Sequence, residues 1–228
     1  MTKEDYIHYC IDIGSVNKSR FAWARLDSRS QNKLIVGNCI NEICEKINED
    51  LKKNIPLTIG IEAPLFIPVP FDNTFLGKAR QNEGNRAWSA GAGSAVAILG
   101  LQQVAFILKM IMIENYSIET SWKEFCKQKQ KKIFFWEAFV TGENKTREEI
   151  EPHIRDSISA VIEIHHRITG LKKDEDLASD INVLEEEEVL SLFGAAVIFA
   201  SKKNYEGIKS PLTVIRPTVP HGDDYDIS

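Results

Sequence analysis

The sequence predicts an α/β protein built on a mixed sheet, and three observations support this fold class. Residues 6–37 contain three short apolar segments joined by polar turns, which is typical of an antiparallel meander. A helical segment then leads into a fourth apolar strand, which favours a parallel partner in the same sheet through a right-handed crossover. The chain has 228 residues and 43% hydrophobic content, enough for the core of one large domain.

The first part of the chain alternates short strands with one helix. We expect strands at residues 6–13, 19–27 and 32–37, each bounded by Ser, Asn or Gly. Residues 38–53 carry apolar side chains at helical spacing: Ile40, Ile43, Cys44, Ile47 and Leu51. Pro56 ends this helix and opens the fourth strand, LTIGIE.

The second part begins with a long segment, residues 63–90, in which three prolines break regular structure. A loop of this length in a compact domain is usually a lid or a substrate-binding element. The elements expected after it are an apolar helix within 89–113, a polar helix within 117–130, a strand at 132–142, a helix at 146–169, a polar linker at 171–183, a last helix at 185–203 and a terminal strand at 212–217. We therefore expect one domain over residues 1–217 and a polar tail at 218–228.

Charge, cysteine content and hydropathy exclude several classes of function. A net charge of −5 and a pI near 5.6 argue against a protein that covers nucleic acid by bulk electrostatics, although a local basic groove is compatible with them. The four cysteines have neither disulfide nor zinc spacing. We find neither a signal peptide nor an apolar run long enough to span a membrane. A cytoplasmic protein without a membrane partner is expected.

Two carboxylates stand at the ends of two predicted strands. Asp12 closes YIHYCID and Glu62 closes LTIGIE, and small or turn-forming residues follow each of them. If the two strands are parallel neighbours, these ends lie roughly 5 Å apart. Two like charges at that distance require a cation or a shared proton. The pair predicts a cation site at this edge of the sheet.

The order of elements resembles that of the ribonuclease H fold, in which the first and fourth strands are parallel neighbours at the centre of a mixed sheet. The segments CIDIGSVNKSRFAWARL, IGIEAPLFIPVP and EEEEVLSLFGAAVIFA are similar to its first hairpin, its second-acid motif and its closing helix. Along nearly its full length the chain resembles bacterial families of predicted RNase H-like nucleases. The resemblance implies a sheet of five to six strands flanked by helices, in one domain with a long loop and helical insertion.

The resemblance also implies a function and a set of residues for it. The activity would be hydrolysis of DNA or RNA phosphodiester bonds with two Mg²⁺ or Mn²⁺ ions. Asp12, Glu62 and Glu188 would be catalytic metal ligands, with Glu137 and Glu187 as further metal-site acids. The substrate phosphates would contact the cations of the loops and of the segment that follows the fifth strand: Arg80, Arg86 and Lys145. Alternatively, Glu137 occupies a solvent-facing position in its strand. The three basic residues are alternatively ordinary surface side chains.

Two other functions stay open from the sequence. The second acid of the family's closing helix falls on Ser191, which allows an RNase H-like module that has lost catalysis and binds nucleic acid or protein. Asp12-Ile13-Gly14-Ser15 also resembles the first phosphate loop of actin-like and sugar-kinase-like phosphotransferases, which need a duplicated domain. Nucleic acid is the partner expected for the nuclease, and a homodimer is compatible with the sequence.

Overall fold

The computed structural model describes residues 5–30, 33–84, 87–113, 115–129, 131–140, 150–172, 175–201, 211–218 and 225–228. Among these residues, a mixed sheet of eight strands is flanked by helices on both faces, and a second sheet has two strands. The predicted α/β class with a mixed sheet is confirmed.

The strands and helices follow one another along the chain in an order close to that expected. The strands are β1 (Ile7–Asp12), β2 (Ala22–Asp27), β3 (Lys33–Gly37), β4 (Leu57–Glu62), β5 (Phe66–Pro70), β6 (Ser117–Glu119), β7 (Lys132–Ala138), β8 (Glu187–Ser191), β9 (Val214–Ile215) and β10 (Asp226–Ile227). The helices are α1 (Ile40–Leu51), α2 (Gly91–Met110), α3 (Trp122–Lys127), α4 (Pro152–Gly170) and α5 (Leu192–Ser201). Short 3-10 turns lie at Val16–Lys18 and Asn73–Phe75.

The main sheet has the order β10-β3-β2-β1-β4-β7-β6, and β9 also pairs with β7. Strands β1, β2 and β3 form the expected antiparallel meander. The crossover through α1 makes β4 parallel to β1, and β7 is parallel to β4. This arrangement brings the carboxyl ends of β1, β4 and β7 to one edge of the sheet.

The sheet has more strands than the five to six expected. The two additional ones are β6, of three residues, which lies inside a predicted helix, and β10, of two residues, which lies inside the predicted polar tail. Two or three residues are too few to show an alternating pattern in the sequence. Whether they form a strand therefore depends on pairing with a neighbouring strand of the folded sheet. Residues 226–227 pair in parallel with Lys33 and Leu34, so this part of the tail belongs to the sheet.

The largest correction concerns the predicted last helix, residues 185–203. Its acidic part is a strand, β8, which pairs antiparallel with β5, and α5 begins only at Leu192. Glu188 and Leu190 are exposed while Glu187 and Val189 are half-buried, which is the period of a strand. β5 lies in the predicted loop 63–90 and contains two prolines, which an edge strand tolerates.

Each face of the main sheet is covered by its own core. One core joins α1, α2 and α5 to the sheet, and the other joins α3 and α4 to the opposite face. The described residues include one helix, α2, that is long and apolar enough to cross a membrane by length and composition, although no such run was expected. About a third of its most apolar window is buried, and the core helix of a globular protein can have the same properties.

Close packing across the centre of the sheet predicts a large effect of a small substitution. A Cβ on Gly60 of β4 would lie 2.3 Å from Cζ2 of Trp136, which is completely buried. We expect Gly60→Ala to lower the free energy of unfolding by about 1–3 kcal/mol in urea denaturation, because the indole must move within a packed core. Gly170→Ala is the control, since a Cβ there meets nothing within 4 Å. Equal unfolding midpoints for the two variants would contradict this packing.

Candidate metal centre at the carboxyl ends of the central strands

Asp12 and Glu62 lie side by side at the edge of the sheet. Strands β1 and β4 are in parallel register from Ile7 and Leu57 onward, so that Asp12 pairs with Glu62 at the last position of both strands. The predicted neighbourhood of these two acids is therefore confirmed. Asp12 is only 6% exposed, so its carboxylate is largely removed from water.

The turn after Asp12 is held by close contacts. A Cβ on Gly14 would lie 1.8 Å from the carbonyl oxygen of Arg20, so only glycine fits where the chain turns towards β2. Gln103 of α2 is buried, and its Nε2 donates a hydrogen bond of 2.6 Å to the carbonyl oxygen of Gly14. These contacts connect the position of Asp12 to α2 as well as to the sheet.

The third acid of the site is Asp156, in the second turn of α4. The helix begins at Pro152, and the carboxylate of Glu151 accepts hydrogen bonds from the amides of His153 and Ile154, both at 3.1 Å. A capping acid followed by proline at the first helical position is a favourable helix start. One oxygen each from Asp12, Glu62 and Asp156 lies within 4.8 Å of the other two.

His153 lies beside this group of acids. It precedes Asp156 by three residues, so both side chains lie on one face of α4. Its Nδ1 is 2.6 Å from Oδ2 of Asp12, and its side chain is 33% exposed. The contact joins the first turn of α4 to the end of β1.

The electrostatic environment of Asp12 disfavours its ionised form. Burial raises the pKa of Asp12 to about 7, the contact with His153 opposes this rise, and the charges of Asp156 and Glu151 add to it. A cation among the three carboxylates would favour the ionised form instead. The cluster therefore has the charge and the burial expected of a cation site.

A cavity of about 590 Å³ opens beside the three acids. Its lining also includes small residues at the start of α2 and in the loop before it, among them Ala87, Ala90, Ala92 and Gly93. None of the described residues that line the cavity is Lys or Arg. A ligand here would contact acids, His153 and small apolar residues.

Glu137 also lines the cavity, but its carboxylate is bound within the protein. Its Oε1 lies 2.6 Å from Nη2 of Arg80, while its Oε2 accepts from Nη1 of Arg80 and from the amide of Leu65, both at 2.9 Å. Arg80 also contacts Glu83, at 2.8 Å, and all three side chains of this network are almost fully buried. Burial raises the pKa of Glu137, and the guanidinium of Arg80 opposes that rise.

This network changes the roles predicted for two residues. Both oxygens of Glu137 are engaged by Arg80, so the carboxylate is an ion-pair partner and is not directed to the acids of the site. Arg80 is 2% exposed and pairs with two carboxylates, so it does not face the cavity as a phosphate ligand. Because Glu137 also accepts a hydrogen bond from the amide of Leu65, this ion pair helps to hold the segment that follows Glu62 in place.

The remaining predicted residues lie elsewhere. Glu187 and Glu188 are on β8, where they pair with Pro70 and Val69 of β5, and neither belongs to the group of converging acids. Their predicted place on the closing helix is wrong because that segment is a strand. Arg86 and Lys145 lie outside the described residues.

Sequence reasoning missed Asp156 and His153. A partial signal was present in EPHIRDS, where a capping acid and a proline open the next described helix after the strand that carries Glu137. The apolar spacing of residues 146–169 predicts a helix but no functional acid, and the run of four glutamates at 185–188 is the more conspicuous candidate for the acid of the closing helix.

The arrangement fits a small hard cation. Carboxylate oxygens are the ligands that Mg²⁺ and Mn²⁺ favour, and a tight octahedral site has ligand distances near 2.1 Å, which puts opposite ligands roughly 4 Å apart. Oxygens within 4.8 Å of one another need only small side-chain rotations to reach such a geometry.

Comparison of the chain with protein-family models, with curated proteins and with solved structures found no match.

Proposed function

We propose that this protein is a divalent-metal-dependent nuclease of the RNase H-like type, which hydrolyses phosphodiester bonds of DNA or RNA. The observation that carries the proposal is the convergence of Asp12, Glu62 and Asp156 within 4.8 Å at the carboxyl ends of the central strands. Three acids on separate elements would repel one another without a cation, and such a group persists where a cation is part of the function.

The strand order supports the proposed fold type. In the ribonuclease H fold the first and fourth strands are expected as parallel neighbours, and β1 and β4 pair in this way. In the element order of that fold, the strand after the fourth is followed by a helix that carries an acid. Here that strand is β7, and the helix that follows it, α4, carries Asp156. Asp156 thus replaces Glu188 in the proposed ligand set of Asp12, Glu62 and Asp156.

The chemistry proposed for the site depends on Mg²⁺ or Mn²⁺. When bound, such an ion stabilises the charge that develops on the phosphate and lowers the pKa of the attacking water. The protein would contribute three carboxylates, and His153 would orient Asp12 through its hydrogen bond. The cavity excludes part of the solvent, which strengthens electrostatic interactions at the scissile phosphate.

The position of Ser191 affects the alternative of a module that has lost catalysis. That alternative was based on the acidic net charge and on Ser191 at the position of a second acid in the closing helix. Ser191 lies on β8, where it pairs with Phe66, so its identity says nothing about the group of acids on β1, β4 and α4. Of the two observations behind the alternative, the net charge of −5 is the one that still favours it.

Titration with Mn²⁺ by calorimetry tests the proposed ligand set. We expect the wild-type protein to bind Mn²⁺, with two ions per chain if the two-metal mechanism holds. Asp156→Asn is expected to weaken binding by more than about 100-fold, since it removes a charged ligand rather than a supporting contact. Cleavage of a labelled single- and double-stranded DNA and RNA set should be lost in parallel.

Glu188→Gln is the matched control, because it removes the same charge from an exposed position on β8. It should bind Mn²⁺ as the wild type does. A protein in which Glu188→Gln weakens Mn²⁺ binding and Asp156→Asn does not would refute the proposed site. Intact metal binding without cleavage of any substrate would refute the nuclease function.

A further inference from the structure

The outer surface of α2 and α5 is unusually apolar for a surface in contact with water. The two helices pack against each other on the same face of the sheet, and their inward residues belong to one core. On the outward side, Ile98 and Phe106 of α2 are 65% and 40% exposed. Ile198 and Phe199 of α5 are 49% and 67% exposed.

These residues form regular stripes along their helices. Ala95 and Ile98 are one turn apart on α2, and Phe106 follows two turns later on the same side, with the exposed and uncharged Gln102 between them. Ala195, Ile198 and Phe199 share one side of α5. We call these six residues the α2/α5 face: Ala95, Ile98, Phe106, Ala195, Ile198 and Phe199. A helix that is apolar on its outer side as well as on its inner side normally has a covering layer.

Charge identifies what can cover the face. The chain contains 33 acidic residues, yet neither α2 nor α5 contains any, and Lys109 near the end of α2 is their single charged residue. A protein of net charge −5 repels its own copies elsewhere on its surface, and this face is free of that repulsion. It also lacks the charges by which a strongly acidic or basic partner would be recognised.

Two further properties fit a second copy of the same chain. Large side chains alternate with Ala95 and Ala195 on the face, so that projections on one copy can enter depressions on the other. A 20-residue helix of about 30 Å and a 10-residue helix of about 15 Å, each about 10 Å wide, present roughly 450 Å² of flat area, a little over half of the ~800 Å² that each partner buries in a standard interface.

Segments of the chain outside the described residues do not have the composition to cover this face. The two longest internal ones, TGENKTREE and KKNYEGIKS, contain one aromatic and one aliphatic residue between them apart from glycine. We propose that the protein is a two-fold symmetric homodimer in which the α2/α5 face of one copy packs against that of the other. The proposal is independent of the nuclease function.

The dimer has a consequence for the cavity. The first turn of α2 contributes Ala92 and Gly93 to the cavity wall, whereas the proposed interface uses the outer side of the same helix. In the dimer each copy therefore keeps its own cavity opening. The interface restrains α2, which forms part of each cavity wall.

Sedimentation velocity over about 1–100 µM protein tests the interface. The wild type is expected at twice the 25.8 kDa of one chain. Phe199→Glu and Ile98→Glu are each expected to raise the dimer dissociation constant by at least about 100-fold, because each buries two carboxylates at the centre of the interface. Both positions are exposed in the single chain, so circular dichroism should remain unchanged.

Phe71→Glu is the matched control. Phe71 is 71% exposed, as apolar as Phe199, and lies after β5 outside the α2/α5 face. It should leave the dimer intact. A wild type that stays monomeric at every concentration overturns the proposal, as does dissociation by Phe71→Glu to the same degree. A monomer that co-sediments with phosphatidylcholine vesicles through Phe199 would show that lipid, not a second copy, covers the face.

Discussion

Asp12→Asn is expected to abolish metal-dependent cleavage while making the metal-free protein more stable above neutral pH. The loss of activity should reach about 1,000-fold or more, the range expected when several kcal/mol of stabilisation by a bound ion are removed. The gain in stability arises because the buried carboxylate is costly to ionise in the folded protein. Asparagine retains an oxygen that can accept a hydrogen bond from His153, so the local contacts are conserved.

The pH dependence of this effect follows from the raised pKa of Asp12. Its pKa is about 7 in the folded protein against 3.8 ordinarily, so between these values the unfolded chain loses the proton first. The wild type therefore loses stability as pH rises from about 4 to about 7, and the deficit is complete above that range. Since Asn does not titrate, its advantage should grow to the order of a few kcal/mol over the same window.

Urea denaturation in EDTA, at about pH 4 and about pH 8, measures this difference. Added Mn²⁺ should reverse the order at the higher pH, because it stabilises only a folded protein that binds it. An Asn variant that is less stable than the wild type at both pH values without metal would contradict the assigned environment of Asp12. Cleavage retained by a folded Asn variant would contradict its role as a ligand.

The second large effect is expected from Arg80→Met, and it concerns stability. The substitution leaves the carboxylates of Glu83 and Glu137 buried without their shared counter-charge. Removing one partner of a buried ion pair typically costs about 3–5 kcal/mol, more than the methionine side chain regains by packing. Thermal and urea unfolding should both show the loss.

Lys127→Met provides the matched control for Arg80→Met. Lys127 pairs with Glu124 at 2.6 Å, and both side chains are about half exposed. An exposed pair of this kind is worth about 1 kcal/mol or less, so the control should unfold nearly as the wild type does. Similar losses in the two variants would show that the Arg80 network is not the buried structural element described above.

The acids on β1 and β4 illustrate what local sequence can reveal. An apolar run followed by an acid and then small residues marks the end of a strand, and the helix between the two strands implies a parallel crossover. Together these patterns predicted that Asp12 and Glu62 are neighbours, as their register confirms. The helix start at EPHIRDS and the run of glutamates at 185–188 both place acids in a predicted helix, where acids are favourable near the first turn, so the sequence does not decide which of them reaches Asp12 and Glu62.

The pairing of Arg80 with Glu137 spans 57 residues, and it could not be predicted from local patterns. Sequence reasoning treated the two side chains separately, as a phosphate ligand and a metal-site acid. In the folded chain each satisfies the other, because an isolated charge at that depth would be too costly. Residues 187–191 form a strand for a similar reason, since the distant strand β5 provides backbone hydrogen-bonding partners for them.

Local sequence patterns were enough to predict the α/β class, the antiparallel meander, the parallel crossover and the position of two acids at one edge of the sheet. These features follow from periodicity and turn chemistry, which act over a few residues. The folded chain was needed to show that Asp156 completes the group, that Glu188 lies on another sheet and that Arg80 neutralises Glu137. Those outcomes depend on which elements pack together, because only packing brings distant charges into contact and removes them from water.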